Sequence, residues 1–152
     1  MSPTAPKNLP VWLGVSEQIR RRTVLESRVA ITDLPRLREA AAGDAGVLEY
    51  RLAFEKDNDG RARVRGRAIG EIELVCQRCL AVYPAAMSLD IDWVLAGSDA
   101  EEQRLQKDFD VVLAEDDRLE LREVFEDELL LALPIVPRCE REGCTGPADE
   151  LD

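Results

Sequence analysis

The stretch VLEYRLAFEKDNDGRARVRGRAIGEIELVC, residues 47–76, decides the fold of this chain. Its first part alternates apolar with polar or small residues, which is the pattern of a strand with one buried face. The apolar positions of that strand are Leu48, Tyr50, Leu52 and Phe54. The segment DNDG at 57–60 is typical of a hairpin turn, and the return strand covers 61–76. Gly66 and Gly70 in the return strand indicate a bulge or a bend.

Two further alternating segments extend this hairpin into a sheet. MSLDIDWVL at 87–95 follows the return strand, and RTVLESRVAI at 22–31 precedes the hairpin. FDVVL at 109–113 is a weaker strand signal. These patterns predict an α+β protein with a single antiparallel β-sheet, rich in hairpins and able to close in part into a barrel.

Two or three helices complete the predicted fold. They cover residues 33–43, 98–106 and 118–134. Asp33 and Ser98 are suited to N-cap the first two helices, and Pro134 ends the third. Within the third helix, residues 126–128 are three consecutive carboxylates. Neighbouring residues point in different directions around a helix, so this triplet indicates a solvated face and not an acid–base or metal site.

The chain has 152 residues, a length that predicts one domain. We expect that domain to span residues 16–145, between a flexible N-terminal segment at 1–15 and a disordered acidic tail at 146–152. The start, MSPTAPKNLP, has no apolar core of a signal peptide, and no apolar run is long enough to cross a membrane. We therefore expect a cytoplasmic protein with no membrane partner.

The absence of histidine excludes several classes of enzyme. Ser-His-Asp and Cys-His nucleophilic sites are impossible, and so are HExxH metalloproteases. The net charge of −11 is concentrated in the second part of the chain. Residues 1–98 carry 14 lysines and arginines against 13 acidic residues, whereas residues 99–152 carry 6 against 18. The overall field repels nucleic acid, but the first part could still contact phosphates.

The four cysteines form two pairs, each predicted to lie on a loop. They are Cys76 and Cys79 in VCQRCL, and Cys139 and Cys144 in PRCEREGC. Four thiolates complete the tetrahedral shell of Zn²⁺ and leave no open position, so the pattern favours a structural zinc site of the zinc-knuckle type. Three alternatives stay open: a disulfide, which is rare in the cytosol, a CxxC redox motif, and ordinary core packing of Cys76.

Alternating arginines in RARVRGR form a second candidate site. Every second residue of a strand lies on the same face, so these side chains share one surface. They are Arg61, Arg63, Arg65 and Arg67. Such a stripe could follow a phosphate backbone or an acidic partner, and Arg78 could extend it. The alternative is a solvated outer face of the sheet, balanced by Glu49 and Glu55 on the neighbouring strand.

The cysteine motif and the last helix together resemble a known family, the large ribosomal RNA subunit accumulation proteins of the YceD family. The family pattern L-x-C-x-R-C-L matches residues 74–80, and E-D-E-x-x-L-x-L-P-x-x-P matches residues 126–137, followed by Cys139 and Cys144. Many relatives have histidine at the position of Cys139, and both residue types bind zinc. The resemblance implies a role in synthesis, processing or stability of large-subunit (23S) ribosomal RNA, with no known catalytic activity.

Three functional hypotheses follow from these observations. The first is a non-enzymatic ribosome-biogenesis factor that contacts precursor rRNA or an assembly protein through the arginines and has no small-molecule substrate. The second is a protein–protein adaptor in ribosome assembly that does not touch RNA, which the net charge supports. The third is a dithiol redox protein that uses Cys76 and Cys79.

Overall fold

The computed structural model describes residues 9–140 and residue 144. Its elements, in chain order, are β1 (Leu13–Gly14), α1 (Val15–Arg21), β2 (Val24–Ala30), α2 (Pro35–Ala40), β3 (Gly46–Lys56), β4 (Ala62–Val75), β5 (Val82–Ala96), α3 (Asp99–Leu105), β6 (Asp110–Leu113), β7 (Arg118–Leu119) and α4 (Leu121–Ala132). The α+β class and all predicted strands are confirmed, and the strand predicted at 87–95 begins five residues earlier. The predicted N-terminal segment and acidic tail lie wholly or partly outside the described residues.

The strands form two sheets. The larger has the order β2-β3-β4-β5-β6, and β1 pairs with β7 in a separate two-stranded sheet. The prediction of a single antiparallel sheet is therefore wrong. The chain crosses through α3 after β5, and β6 consequently pairs with β5 in parallel. Over residues 9–140 the larger sheet does not close into a barrel, because β2 and β6 remain its two edges.

The core lies on one face of the larger sheet. The four alternating apolar residues predicted for β3 are all buried, and Tyr50 meets the ring of Phe125 in α4 edge to face, with centroids 5.8 Å apart. The described part of the chain has four α-helices, more than the two or three predicted. The additional helix, α1, buries Val15 and Ile19. At the N-terminal end, Leu9 is fully buried and its carbonyl accepts hydrogen bonds from the Arg122 guanidinium.

The glycines in β4 let its backbone lie unusually close to β3. The register between these strands is unbroken through Gly66 and Gly70, so the structure has no bulge at either glycine. A Cβ on Gly66 would lie 1.8 Å from the Arg51 carbonyl oxygen, and one on Gly70 would lie 2.3 Å from the Val47 carbonyl oxygen. These glycines are therefore required by close backbone approach in the sheet interior.

Glu126 joins the last helix to the N-terminus of α2. Its carboxylate accepts hydrogen bonds from the backbone N–H of Arg36 at 2.7 Å and of Leu37 at 3.1 Å. The Arg36 guanidinium also pairs with Glu126 and with Asp127. Only 4% of Glu126 is exposed, so the prediction of a solvated face is wrong for this residue. The predicted N-cap Asp33 does not cap α2, which Glu126 caps from another helix.

We expect Glu126→Gln to lower the free energy of unfolding by about 1–3 kcal/mol, because an amide replaces the charged acceptor of two backbone donors and an arginine. Chemical denaturation followed by circular dichroism measures this change. Asp127→Asn is the matched control, since Asp127 pairs with the same arginine but is half exposed. We expect that control to lower the free energy of unfolding by less than about 1 kcal/mol. Equal effects of the two substitutions would contradict the capping role of Glu126.

Candidate metal centre and arginine surface

The first cysteine pair lies in the turn that joins β4 to β5, as the sequence predicts. Cys76 directly follows β4 and is fully buried. Its backbone N–H donates to the Ala81 carbonyl and its carbonyl accepts from the Leu80 N–H, both at 2.9 Å. Leu80 has a left-handed backbone with φ of 62°. This tight turn brings Cys79 back towards Cys76, so that the Cys79 N–H donates to the Cys76 Sγ at 3.5 Å.

The second pair arrives from the segment that follows α4. The Gln77 N–H donates to the Pro137 carbonyl at 2.8 Å, which connects that segment to the β4–β5 turn. The Cys139 N–H then donates to the Cys76 Sγ at 3.4 Å. The backbone itself therefore places the second cysteine pair over the first.

The four sulfur atoms form one compact group, which we call the thiol cluster (Cys76, Cys79, Cys139 and Cys144). All four Sγ atoms lie within 4.8 Å of one another. The Cys76–Cys144 and Cys79–Cys139 sulfurs are 3.5 and 3.7 Å apart. Four sulfurs bound at about 2.3 Å to a tetrahedral ion would lie about 3.8 Å apart. The cluster is thus compatible with a metal site.

Hydrogen bonds stabilise the thiolate that a metal would require. The Cys79 N–H, and after it the Cys139 N–H, lower the pKa of Cys76 to about 5. The Ala81 backbone chiefly lowers the pKa of Cys79. The hydrogen bond to Cys139 and burial raise the pKa of Cys144 to about 12. The cluster can therefore hold thiolate and thiol side by side, and a cation would favour the thiolate of each member.

The geometry does not favour the disulfide and redox alternatives. No disulfide joins any two of the four cysteines, since the sulfur pairs at 3.5 and 3.7 Å are well beyond the bonding distance of about 2.05 Å. Cys76 and Cys79 lie between two strands, whereas a thioredoxin-like motif opens a helix. Burial of Cys76 agrees with a core position, but core packing does not explain why the three other cysteines meet it.

The arginine stripe (Arg61, Arg63, Arg65 and Arg67) lies on the outer face of the larger sheet, and each member is paired. Arg61 pairs with Asp57 and Asp59. Arg65 pairs with Glu55 and Asp92, and 47% of its side chain is exposed. Arg67 lies 3.8 Å from Asp90, is 65% exposed and donates to the Ser88 hydroxyl. The stripe exists as a surface, but neighbouring carboxylates balance its charge.

Arg63 differs from the other arginines of the stripe because it is buried. Only 9% of its side chain is exposed, and it binds Asp92 at 2.7 Å and Asp57 at 3.1 Å. The Phe109 ring covers both the Arg63 and Arg61 guanidinium groups, at 5.1 and 4.6 Å from its centroid. Hydrogen bonds from the Arg61 backbone and the Arg63 side chain help to lower the pKa of Asp57. This ion-paired group therefore secures the β3–β4 turn and the neighbouring β5.

Arg78 does not join the stripe. It lies in the β4–β5 turn beside the thiol cluster, at the opposite end of β4 from Arg61. The sequence predicted neither Asp57 nor Asp92 as partners of the stripe. The signal for Asp92 was its place in the alternation of β5, which puts it on the same outer face as the arginines.

No helix among the described residues is long and apolar enough to cross a membrane.

The fold and site together define an α+β protein in which a four-cysteine cluster joins the segment after the last helix to a sheet hairpin. A sequence profile of the family described as "Large ribosomal RNA subunit accumulation protein YceD" matches residues 64–152. The chain belongs to this family. It is also similar to the Haemophilus influenzae protein named "Large ribosomal RNA subunit accumulation protein YceD", with 25% identity over 143 residues, covering 93% of this chain and 82% of that protein. No solved structure matches.

Proposed function

We propose that this protein is a non-enzymatic cytoplasmic factor that supports the accumulation of large-subunit (23S) ribosomal RNA. Family membership is the observation that carries this proposal, because the family is described by that role. The site agrees with it, since four thiolates around one ion leave no coordination position for a substrate. The protein would act by binding precursor rRNA or an assembly protein.

The thiol cluster is proposed as a structural zinc site. Closed tetrahedral sets of four thiolates are typical of structural zinc sites. The filled d shell of Zn²⁺ imposes no other coordination geometry, so the ion accepts the tetrahedral arrangement of the ligands. Zinc bound by Cys76, Cys79, Cys139 and Cys144 would hold the segment after α4 against the β4–β5 turn. It would thereby stabilise the fold that carries the binding surfaces, without taking part in a reaction.

The exposed part of the arginine stripe is the proposed contact for rRNA phosphates or an acidic partner. Arg65 and Arg67 are the members that solvent reaches most freely, and Arg63 is excluded from this role by its burial.

In cells that lack the chain, we expect the ratio of large-subunit to small-subunit rRNA to fall and wild-type protein to restore it. Arg65→Glu with Arg67→Glu should restore it only in part while the variant remains folded.

Quantifying both rRNAs, together with sedimentation of large-subunit precursors, tests this expectation. Glu26→Lys with Glu49→Lys is the control, since it changes the charge of the same outer face through exposed residues of neighbouring strands. A normal rRNA ratio without the protein would contradict the proposed function. Full rescue by the double arginine variant would instead show that the stripe is not the contact surface, without contradicting the proposed function.

An adaptor that binds a basic ribosomal protein is the second candidate function. The observation that favours it is the pairing of every stripe arginine with a carboxylate, in a chain with a net charge of −11. Bare RNA separates the two candidates, because direct phosphate contact makes binding fall steeply with salt. The position of Cys76 and Cys79 between two strands gives the redox alternative no such support.

A further inference from the structure

A cleft lies between α1 and the end of the β3–β4 hairpin, away from the thiol cluster. We call it the α1 cleft, and its volume is about 860 Å³. Its apolar lining comes from both elements and includes Val15, Ile19 and Phe54, which are buried, and Ala62, which is half-buried. Packing of α1 against β3 and β4 forms it, so it is a feature of the folded chain and not of one loop.

Three cations line the α1 cleft: Arg20, Arg22 and Lys56. All three are exposed, and within residues 9–140 and 144 none of them forms an ion pair. Glu55 is the carboxylate of the lining, and it pairs with Arg65 at 3.3 Å. The α1 cleft thus has the local positive charge that the arginine stripe loses to its acidic neighbours.

The backbone fixes the points at which two of these cations, Arg22 and Lys56, leave the chain. Arg22 caps the C-terminus of α1 in a left-handed conformation, with φ of 51°, and its N–H donates to the Ile19 carbonyl at 3.1 Å. The next residue, Thr23, accepts from the Phe54 N–H at 2.8 Å, which joins the end of α1 to β3. Lys56 is the last residue of β3. The left-handed Arg22 is a helix C-cap, which ends α1 beside the last residues of β3 and so brings Arg22 and Lys56 to the same cleft.

We propose that the α1 cleft binds the phosphate backbone of a single-stranded segment of ribosomal RNA. Grooves that bind single strands combine cations that track the backbone with aromatic side chains on which bases stack. The α1 cleft supplies the cations, whereas Phe54, the aromatic residue of its lining, is buried, so we expect contact with the phosphates and not with the bases. The cleft's volume of about 860 Å³ has room for a few nucleotides. The inference rests on the proposed function and deepens it, because it locates direct RNA contact at residues distinct from the stripe.

Binding of a fluorescent single-stranded RNA at several salt concentrations tests this inference. The cleft variant carries Arg20→Gln, Arg22→Gln and Lys56→Gln. We expect it to bind at least about tenfold more weakly near 100 mM salt. The slope of log affinity against log salt should also shrink by about 2, since each phosphate contact on a single strand contributes about 0.7.

The control variant carries Arg21→Gln, Arg28→Gln and Arg51→Gln, which removes the same charge from exposed arginines that pair with acidic neighbours. We expect the control to keep nearly the wild-type slope, and unfolding curves show that both variants are folded. Equal salt slopes for the two variants would overturn the proposal that the α1 cleft binds RNA. The protein would then contact RNA through another surface. Absence of RNA binding by the wild type would also overturn the proposal and favour a protein partner, while the rRNA ratio in cells independently tests the proposed function.

Discussion

Replacing Cys76 with serine is expected to abolish stoichiometric metal binding and to lower the free energy of unfolding by more than about 4 kcal/mol. Cys76 is the centre of the thiol cluster, since its Sγ accepts from the Cys79 and Cys139 N–H groups and lies 3.5 Å from the Cys144 sulfur. A serine hydroxyl is a poor zinc ligand and is too short to restore these contacts. Apparent zinc-binding energies of about 10–16 kcal/mol in small domains show how much a closed site can supply.

Elemental analysis and denaturant unfolding with and without a chelator measure the two parts of this expectation. We expect about one metal ion per wild-type chain, in line with one tetrahedral site. The sheet core should survive in the variant, and proteolysis should then cut between α4 and Cys139. This segment reaches the β4–β5 turn through Pro137, so loss of the metal frees it without removing the core.

Two further variants make the test specific. Cys139→His should retain the metal, because an imidazole nitrogen is also a zinc ligand. Gln77→Ser should behave as wild type, since Gln77 is exposed and its described link to the tail uses only its backbone. A Cys76→Ser protein that keeps one metal ion and wild-type stability would refute the structural metal site.

The alternation of side chains made the larger sheet predictable. The hairpin of β3 and β4 was evident because buried apolar residues alternate with mostly polar or small ones, with Val47 and Ile69 as exposed exceptions, and the turn residues at 57–60 agree with it. The position of CQRC between two strands followed from the same pattern. The meeting of its cysteines with Cys139 and Cys144 was predictable from chemistry, since four thiolates in a chain without histidine suggest one another as partners.

Contacts between distant elements could not be predicted from local patterns. Glu126 belongs to an acidic triplet, and nothing within α4 shows that α2 places two free N–H groups beside it. Neutralisation of Arg63 depends on the register that sets Asp92 next to it, and a register is a property of paired strands. The helix α1 is short, and its packing against β3 is what creates the α1 cleft.

Gly66→Ala is expected to destabilise the protein by about 4 kcal/mol or more, although it adds a single methyl group. Gly66 pairs with Leu52 of β3 on one side and Ile91 of β5 on the other, so its strand has no free edge along which to move. The new Cβ would lie 1.8 Å from the Arg51 carbonyl oxygen and 3.0 Å from the Leu52 Cα. Because these obstacles are backbone atoms, relief requires β3 to separate from β4, which breaks ladder hydrogen bonds over the buried face.

Urea unfolding of Gly66→Ala beside Gly97→Ala measures this effect against a substitution of the same size. No other group lies within 4 Å of a Cβ on Gly97, and its backbone is not left-handed. We therefore expect Gly97→Ala to change stability by less than about 1 kcal/mol, in either direction. If Gly66→Ala matched it, the close approach of β3 and β4 would not be a rigid feature of the fold. If Gly66→Ala is much more destabilising than Gly97→Ala, the spacing of β3 and β4, which carries the outer surface with Arg65 and Arg67, is one that only glycine permits. Substitutions that probe RNA contact should then leave Gly66 unchanged.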